Sequence, residues 1–461
     1  MNAVAGVDDP RAHPPRVQQA LGRRSLDAKG LHGDDGVDVV GHGYEDGGTA
    51  IPGVHEKAVT VAQQHENGDE AVCRALAEFD GCHVEPGGLR ASEEEFERAR
   101  GQVAPEVREA IAAGIANVRA FNEQLVGERE WRAEIAPGLM VGEKMTPVAS
   151  AGLFVPSGKG SFPSVLVQLG TPAVVAGVPE LAVVVPPVPG GQGEIDPAVL
   201  CVASELGIAS VFRVNGPAGI AALAFGTESI PKVRKVLGPG SPPVQAAQIA
   251  CQQYGCHTQM LLGPSESLIL ADESADPRLL AADLLNEAEH GPDSSSVLVT
   301  DSAALIEAVQ PELATQLAEL PEPRRSYAQA ALGENGGAVL TASLEEAIEV
   351  SNLYAPEHMQ VVARDEEAVL AGIDHAGEVL LGQSTPVSLA NYVLGVPAAL
   401  PTGAFARVTG GVTAETFMKK TSIARADERA LDSLSDAVLA LAEHEGFPAH
   451  AAAIRARRPA S

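Results

Sequence analysis

From Ala149 onward the chain repeats one rhythm, a short β-rich run followed by an alanine-rich stretch of helical length. LFVP, LAVVVPP, SVFRV and KVLG form a first series; SLILAD, SVLVTD, GAVLTA and GEVLLG form a second. Short strands separated by helices of about ten or more residues form parallel sheets with right-handed crossovers, not hairpins. The two series therefore predict an α/β fold with two Rossmann-like parallel-sheet domains, over residues 149–262 and 263–402. Composition agrees: 45% of residues are hydrophobic but only 3% aromatic, so the core is built from Ala, Val, Leu and Ile. Strands covered by helices on both faces have that character.

The ends of the chain read differently. Over 54–148 a helical pattern runs from Val54 towards Phe79, and Ser92 followed by Glu95 has the form of a capping box. Beyond Pro105, Ile111, Ile115, Val118 and Phe121 recur at helical spacing. An N-terminal helical segment is expected there. Residues 403–461 form a C-terminal segment with an amphipathic helix near Asp427 to Glu443 and a tail. Residues 1–53, rich in Gly, Asp and His and without a sustained period, read as a disordered or non-native leader. His13, His32, His42 and His55, in or just after it, are read as a solvated tail, with adventitious metal binding as the alternative.

Acidic residues outnumber basic ones 61 to 32, and the formal net charge is −29. Such a polyanion repels phosphate backbones and anionic lipid, which argues against nucleic-acid or membrane-surface partners. Cys73, Cys82, Cys201, Cys251 and Cys256 are odd in number and scattered, so no disulfide framework is expected. Cys251, Cys256 and His257 are close enough to suggest a metal site, but no second cluster accompanies them and inert thiols are the plainer reading. The longest apolar stretch, Pro172 to Val188, is interrupted by Pro179, Glu180, Pro186 and Pro187. It is no membrane span, and no secretory signal precedes it, so a cytoplasmic location is expected.

The chemistry sits in a few short segments. SGKGS, at 157–161, and GPGSPP, after Leu237, are glycine-rich βα turns, but neither is a G-x-G-x-x-G fingerprint. In LLNEAEHGPDS, Glu287 and His290 lie three apart at the end of a helix that begins after Asp276 and Pro277. They form either a two-ligand metal arm or an ordinary exposed helix end. In NLYAPEHMQV, Glu357 and His358 place a carboxylate beside an imidazole, a pair able to divide proton transfers.

These pieces occur together, in order, in one family. Through GLFVPSGKGSFPS, PAVVAGV, PAGIAALAFGTESIPKV, GPGS, GPSESLILAD, LLNEAEHGPDS, LYAPEH, LANYVLG, LPTG and EHEGFPAH, the chain resembles histidinol dehydrogenases from about residue 54 to 456. The resemblance implies one zinc per chain held by Glu287, His290, Asn391 and His450, the last from the partner subunit of an intertwined homodimer. It implies His358 as general base and Glu357 as activator of the hydrating water. Ser164, Ser265 and Glu445 match substrate contacts. The implied reaction uses two NAD in succession to take a primary alcohol through an aldehyde to a carboxylate.

The departures are as informative. Where the family normally has Gln and Asp in the zinc shell, this sequence has Glu287 and Asn391, which keeps the summed ligand charge at minus one while moving it. The histidine expected in the substrate pocket is Ala398, so a histidinol pocket is not expected to persist. At the NAD positions the family's Tyr, Gln and Asn are matched by Phe154, Ala218 and Ser241, so the cofactor must be held differently. With VPSGKGSFPSV, GPGSPPV and MLLGPSESL, this pattern looks closer to the sulfopropanediol dehydrogenase branch. The implied substrate is then 2,3-dihydroxypropane-1-sulfonate, oxidised to sulfolactate, with histidinol as the alternative. Lys159 either faces the sulfonate or is a solvated loop lysine. A third reading, a silent homologue acting as a binding protein, is opposed by the joint presence of His290, Glu357, His358, Glu445 and His450.

Overall fold

Alternation along β-rich segments divides the core into layers. In a computed structural model, residues 68–157, 160–259 and 263–458 are described, together with a short strand at 3–4. The strands, in chain order, are β1 (Ala3–Val4), β2 (Glu130–Ala136), β3 (Leu139–Pro147), β4 (Ser150–Phe154), β5 (Glu180–Val185), β6 (Val211–Arg213) and β7 (Lys235–Leu237). They continue as β8 (Glu266–Ala271), β9 (Ser295–Thr300), β10 (Gly337–Leu340), β11 (His358–Val362), β12 (Glu378–Leu381) and β13 (Met418–Ala426).

The first sheet has the order β6-β5-β4-β7 and is parallel throughout. Leu153, Val183 and Val185 point into one core with the helices Pro105–Val126 and Pro163–Ala176. Their neighbours Phe154, Ala182 and Val184 point into another, against the helices Gly68–Phe79, Gly216–Phe225 and Pro242–Cys251. Both faces are covered, as the sequence predicts.

The second sheet has the order β1-β10-β9-β8-β11-β12, also parallel. Ile269 and Leu298 enter one core, and Leu268, Leu270, Val297, Met359 and Val361 the other. The order reverses between β8 and β11, the switch point of a Rossmann arrangement. Of the 1–53 leader, only Ala3–Val4 is described, paired with β10; the rest, and the helical pattern expected from Val54 up to Asn67, lie outside the described residues. No described helix is long and apolar enough to cross a membrane.

Two expectations are corrected. The stretch 54–148 is not helical throughout: after the helices Gly68–Phe79, Glu93–Gln102 and Pro105–Val126, the chain turns at Pro137-Gly138 into the β2–β3 hairpin. β13 adds to it, giving an antiparallel sheet β13-β3-β2 that joins the segment before the first parallel sheet to the one after the second. Every residue of β2 is exposed, so no alternation marks it as a strand. Pro137-Gly138, with Gly138 at φ +77°, was the available signal. The predicted helix forms over Glu428–His444, capped by Asp427, but the stretch beyond it is not simply a tail: it forms a second helix, Pro448–Arg455, with Pro448 at its first turn.

The predicted capping box is present. The Ser92 hydroxyl accepts from the Glu95 amide, and the Glu95 carboxylate accepts from the Ser92 amide. Glu95 also takes the Arg213 guanidinium at 2.5 Å, and Arg213 donates to the Gly88 carbonyl. Burial opposes the Glu95 charge, but Arg213 and Ser92 overcome it and hold the carboxyl below its usual range.

Glu95→Ala would leave the Arg213 charge largely buried, and should cost about 3 kcal/mol in denaturant unfolding. Because the folded-state pKa of Glu95 is lowered, its contribution is full above the unfolded value near 4.5 and is lost as pH falls through the folded one. The wild-type advantage over Glu95→Ala should therefore shrink below about pH 4.5. At the other sheet, a Cβ on Gly377 would stand 2.5 Å from the Glu357 carbonyl oxygen. Gly377→Ala should push β12 away from β11 and cost about 1–3 kcal/mol, read as a lower thermal midpoint.

Candidate active site

Between the two sheets lies a cavity of about 820 Å³. The first sheet contributes the carboxyl ends of β4 and β7, through Pro156–Ser157 and Pro239–Ser241. The second contributes the opposite edge, where its strands begin: Ser265 before β8, Glu357 and His358 at the start of β11. A helix running antiparallel to those strands ends at the same edge. Pro277–Ala288 is such a helix, and its last turn brings Glu287 and His290 to the cavity.

Glu287 is fully buried, so the plain reading of a solvated helix end does not hold. Its Oε1 accepts from Asn391 Nδ2 at 3.1 Å and from Asn286 Nδ2 at 3.2 Å. Its Oε2 lies 3.0 Å from His290 Nδ1 but out of hydrogen-bond alignment, and has no donor. Burial would raise this carboxyl, yet His290 and His358 hold it down at about 2. His290 is raised in turn, since Glu287 outweighs its burial. Ser265 Oγ sits 3.0 Å from His290 Nδ1.

Asn391 is placed by the N-terminal segment. Gly114 in the helix Pro105–Val126 lets the Tyr392 carbonyl approach to where a Cβ would be only 2.7 Å away, and Asn117 Nδ2 donates to the Val393 carbonyl at 2.7 Å. The segment thus braces the end of the helix Val387–Tyr392, which carries Asn391.

Glu357 and His358 follow a sharp change of direction. The helix Leu344–Tyr354 is closed by Ala355 in the left-handed region at φ +53°, and the chain then enters β11. Glu357 Oε2 accepts from the Glu266 amide at 3.0 Å. Burial pushes the Glu357 carboxyl up to about 8, against the pull of His358. Burial would lower His358, but Glu357, Glu287 and Glu378 together raise it to about 10. Its Nε2 is 3.8 Å from Glu357 Oε1, and its Nδ1 is 2.5 Å from Glu378 Oε1. Sequence reasoning missed Glu378; a lone acid opening the apolar run Val379–Leu381 was the only signal.

Ser164 and Ser265 also line the cavity, as does Ser241, whose hydroxyl caps no amide of the helix it precedes. Phe154 and Ala218 do not: both are buried, the Phe154 ring in the first domain's core, so neither side chain is presented to a cofactor there. Lys159 lies outside the described residues. Glu445 and His450 are exposed and away from the cavity of their own chain, where His450 stacks near Phe447. Cys251 and Cys256 are buried in the core.

Among the described residues, no three His, Cys, Asp or Glu side chains form a metal cluster within one chain. The donors that do converge are a carboxylate, an imidazole and an amide. They suit a cation nonetheless: Glu287 Oε2 is a buried, ionised oxygen with no hydrogen-bond donor among the described residues, and N and O donors match zinc.

The histidinol dehydrogenase family model matches residues 53–458. A Mesorhizobium japonicum protein named histidinol dehydrogenase homolog 2 is 42% identical over 390 residues, 84% of this chain and 88% of that one. A Synechocystis histidinol dehydrogenase is 40% identical over 407 residues, 86% and 91% of the two chains. The crystal structure of histidinol dehydrogenase from Elizabethkingia anophelis superposes with a TM-score of 0.84 at 32% identity, covering 91% of this chain and 93% of that one. The chain therefore belongs to the histidinol dehydrogenase family of NAD-dependent dehydrogenases.

Proposed function

We propose that this chain oxidises a primary alcohol through an aldehyde to a carboxylate, reducing two NAD in succession with one zinc per chain. The observation that carries the reading is that Glu287, His290 and Asn391 share one cavity with Glu357 and His358. Glu287, His290 and Asn391 would hold the metal, with His450 as the fourth donor from a second copy in a homodimer. In support, His450 is exposed, and Leu434, Leu441 and Phe447 leave apolar surface on the same terminal helices. Bound zinc would supply Lewis acidity at the alcohol and carbonyl oxygen, and NAD would accept hydride. Ser241 and the glycine-containing loop before it, at the carboxyl end of β7, line the cavity and would take the cofactor.

His358 takes the alcohol proton on Nε2. Set against a cation at Glu287, the carboxylate field that holds His358 protonated weakens, and Nε2 is free to accept. Glu357, pushed up to about 8, is largely protonated at neutral pH, and its ionised form, which grows as pH rises towards 8, takes the proton of water as the aldehyde is hydrated. Ser265 holds His290, and Ser164 and the partner's Glu445 would contact substrate.

The substrate we favour is 2,3-dihydroxypropane-1-sulfonate, giving sulfolactate. Ala398 lines the cavity where an imidazole-binding histidine is expected, and Arg324 is the one Lys or Arg among its described lining residues. Histidinol is the second reading, favoured by the 40% identity to the Synechocystis enzyme.

Purified protein should reduce NAD with sulfopropanediol, about two NADH forming per alcohol consumed, and not with histidinol. Turnover of histidinol alone would establish the second reading. Zinc analysis should find about one ion per chain. Glu287→Gln removes the negative charge from the metal donors and should lose most of that zinc, whereas Glu287→Gln with Asn391→Asp restores the charge and should regain it. Full zinc in Glu287→Gln alone would remove Glu287 from the ligand set.

A further inference from the structure

Glu378 is an acid where the fold asks for none. It opens β12, the edge strand of the second sheet, ahead of the apolar Val379, Leu380 and Leu381. It is buried, as is His358, which lies directly opposite it in the parallel register of β11 and β12. A buried carboxylate costs stability unless it is paired, and an apolar residue would serve the strand better. The hydrogen bond that Glu378 makes is to the base itself: Oε1 is 2.5 Å from His358 Nδ1. The backbone reinforces this, since the Glu378 amide donates to the Glu357 carbonyl at 3.2 Å and the Gly377 amide to the Pro356 carbonyl at 2.9 Å.

We propose that Glu378 is a positioning residue for His358, its carboxylate holding the proton on Nδ1 and the ring in one orientation, so that Nε2 faces the alcohol. This rests on the reading of His358 as the base. A neutral imidazole can place its proton on either nitrogen, and the group bonded to one nitrogen decides which is left as acceptor. With Glu378 on Nδ1, the alcohol proton moves to Nε2 while hydride leaves for NAD. The positive charge then spreads over a ring already facing a carboxylate. Glu357 lies on the other side, at 3.8 Å from Nε2, close enough for the second proton transfer but not bonded to the ring. The ring is thus bracketed by two acids with separate tasks, one fixing its tautomer and one handling water.

The test compares Glu378→Ala and Glu378→Gln with His358→Asn in the full-length zinc-loaded protein. Glu378→Ala should lower kcat about 10²- to 10⁴-fold, with KM for the alcohol within about twofold and zinc content unchanged. Glu378→Gln, which keeps the shape and removes the charge, should lower kcat as well; it also serves if the alanine variant folds poorly. A merely structural role would instead move KM, zinc and thermal midpoint together. Protein labelled with ¹⁵N-histidine gives a readout without turnover. The ring signals absent from His358→Asn should report a protonated, hydrogen-bonded Nδ1 in the wild type, and should shift in Glu378→Ala. Unchanged ring signals, or wild-type kcat in both Glu378 variants, would overturn the proposal. Activity surviving in His358→Asn would instead refute His358 as the base, while the ring signals still decide whether Glu378 fixes its tautomer.

Discussion

The pairing of β11 between β8 and β12 is the constraint from which the site follows. It sets the Glu266 amide against the Glu357 carboxylate, and Glu378 against the His358 ring. No loop of its own could hold these groups so closely, because each is fixed by a backbone ladder running through the sheet. Ligands of open α/β sheets usually gather at the carboxyl ends of the strands. The first sheet follows that rule, but the second offers its amino edge. Two sheets facing each other in this opposed sense let glycine-rich turns from one meet ionisable side chains from the other across a single cavity.

Those side chains form an unusually acidic interior. Glu287, Glu357 and Glu378 are all buried around His358, and the charges answer one another: His290 and His358 hold the Glu287 carboxyl down, while the three acids raise His358. Such a cluster is costly if any member is left without a counterpart. Among the described residues, none donates a hydrogen bond to Glu287 Oε2 or Glu378 Oε2. For Glu287 this is where a cation would stand. For Glu378 the side-chain bond to His358 accounts for its presence.

Much of this was legible in the sequence, for a physical reason. The strands of the two parallel sheets carry continuous Val, Leu and Ile runs, and these are read one segment at a time. Glu287 with His290, and Glu357 with His358, were legible because their members are neighbours along the chain. What was hidden depends on register and on faces without contrast. Glu378 reaches His358 only through the pairing of β11 with β12, which no local pattern encodes. The β2–β3 hairpin escaped because its first strand is exposed on both faces, leaving only Pro137-Gly138 to mark the turn. Phe154, a position carried over by resemblance, has its ring in the first domain's core.

The exchange of amide and acid around the cavity gains meaning from its place on the helix. Glu287 lies in the last turn of Pro277–Ala288, at the negative end of the helix dipole, where an anion is disfavoured and a cation favoured. An amide at that position would be nearly indifferent to the dipole; an ionised carboxylate is not. Moving the charge from position 391 to 287 therefore raises the cost of leaving the donor set without a cation. It also brings that charge within the field of His358. The acid swap and the Glu378 contact then act on the same ring from two directions. One helps set how strongly His358 holds a proton, and the other which nitrogen is left to accept the alcohol proton.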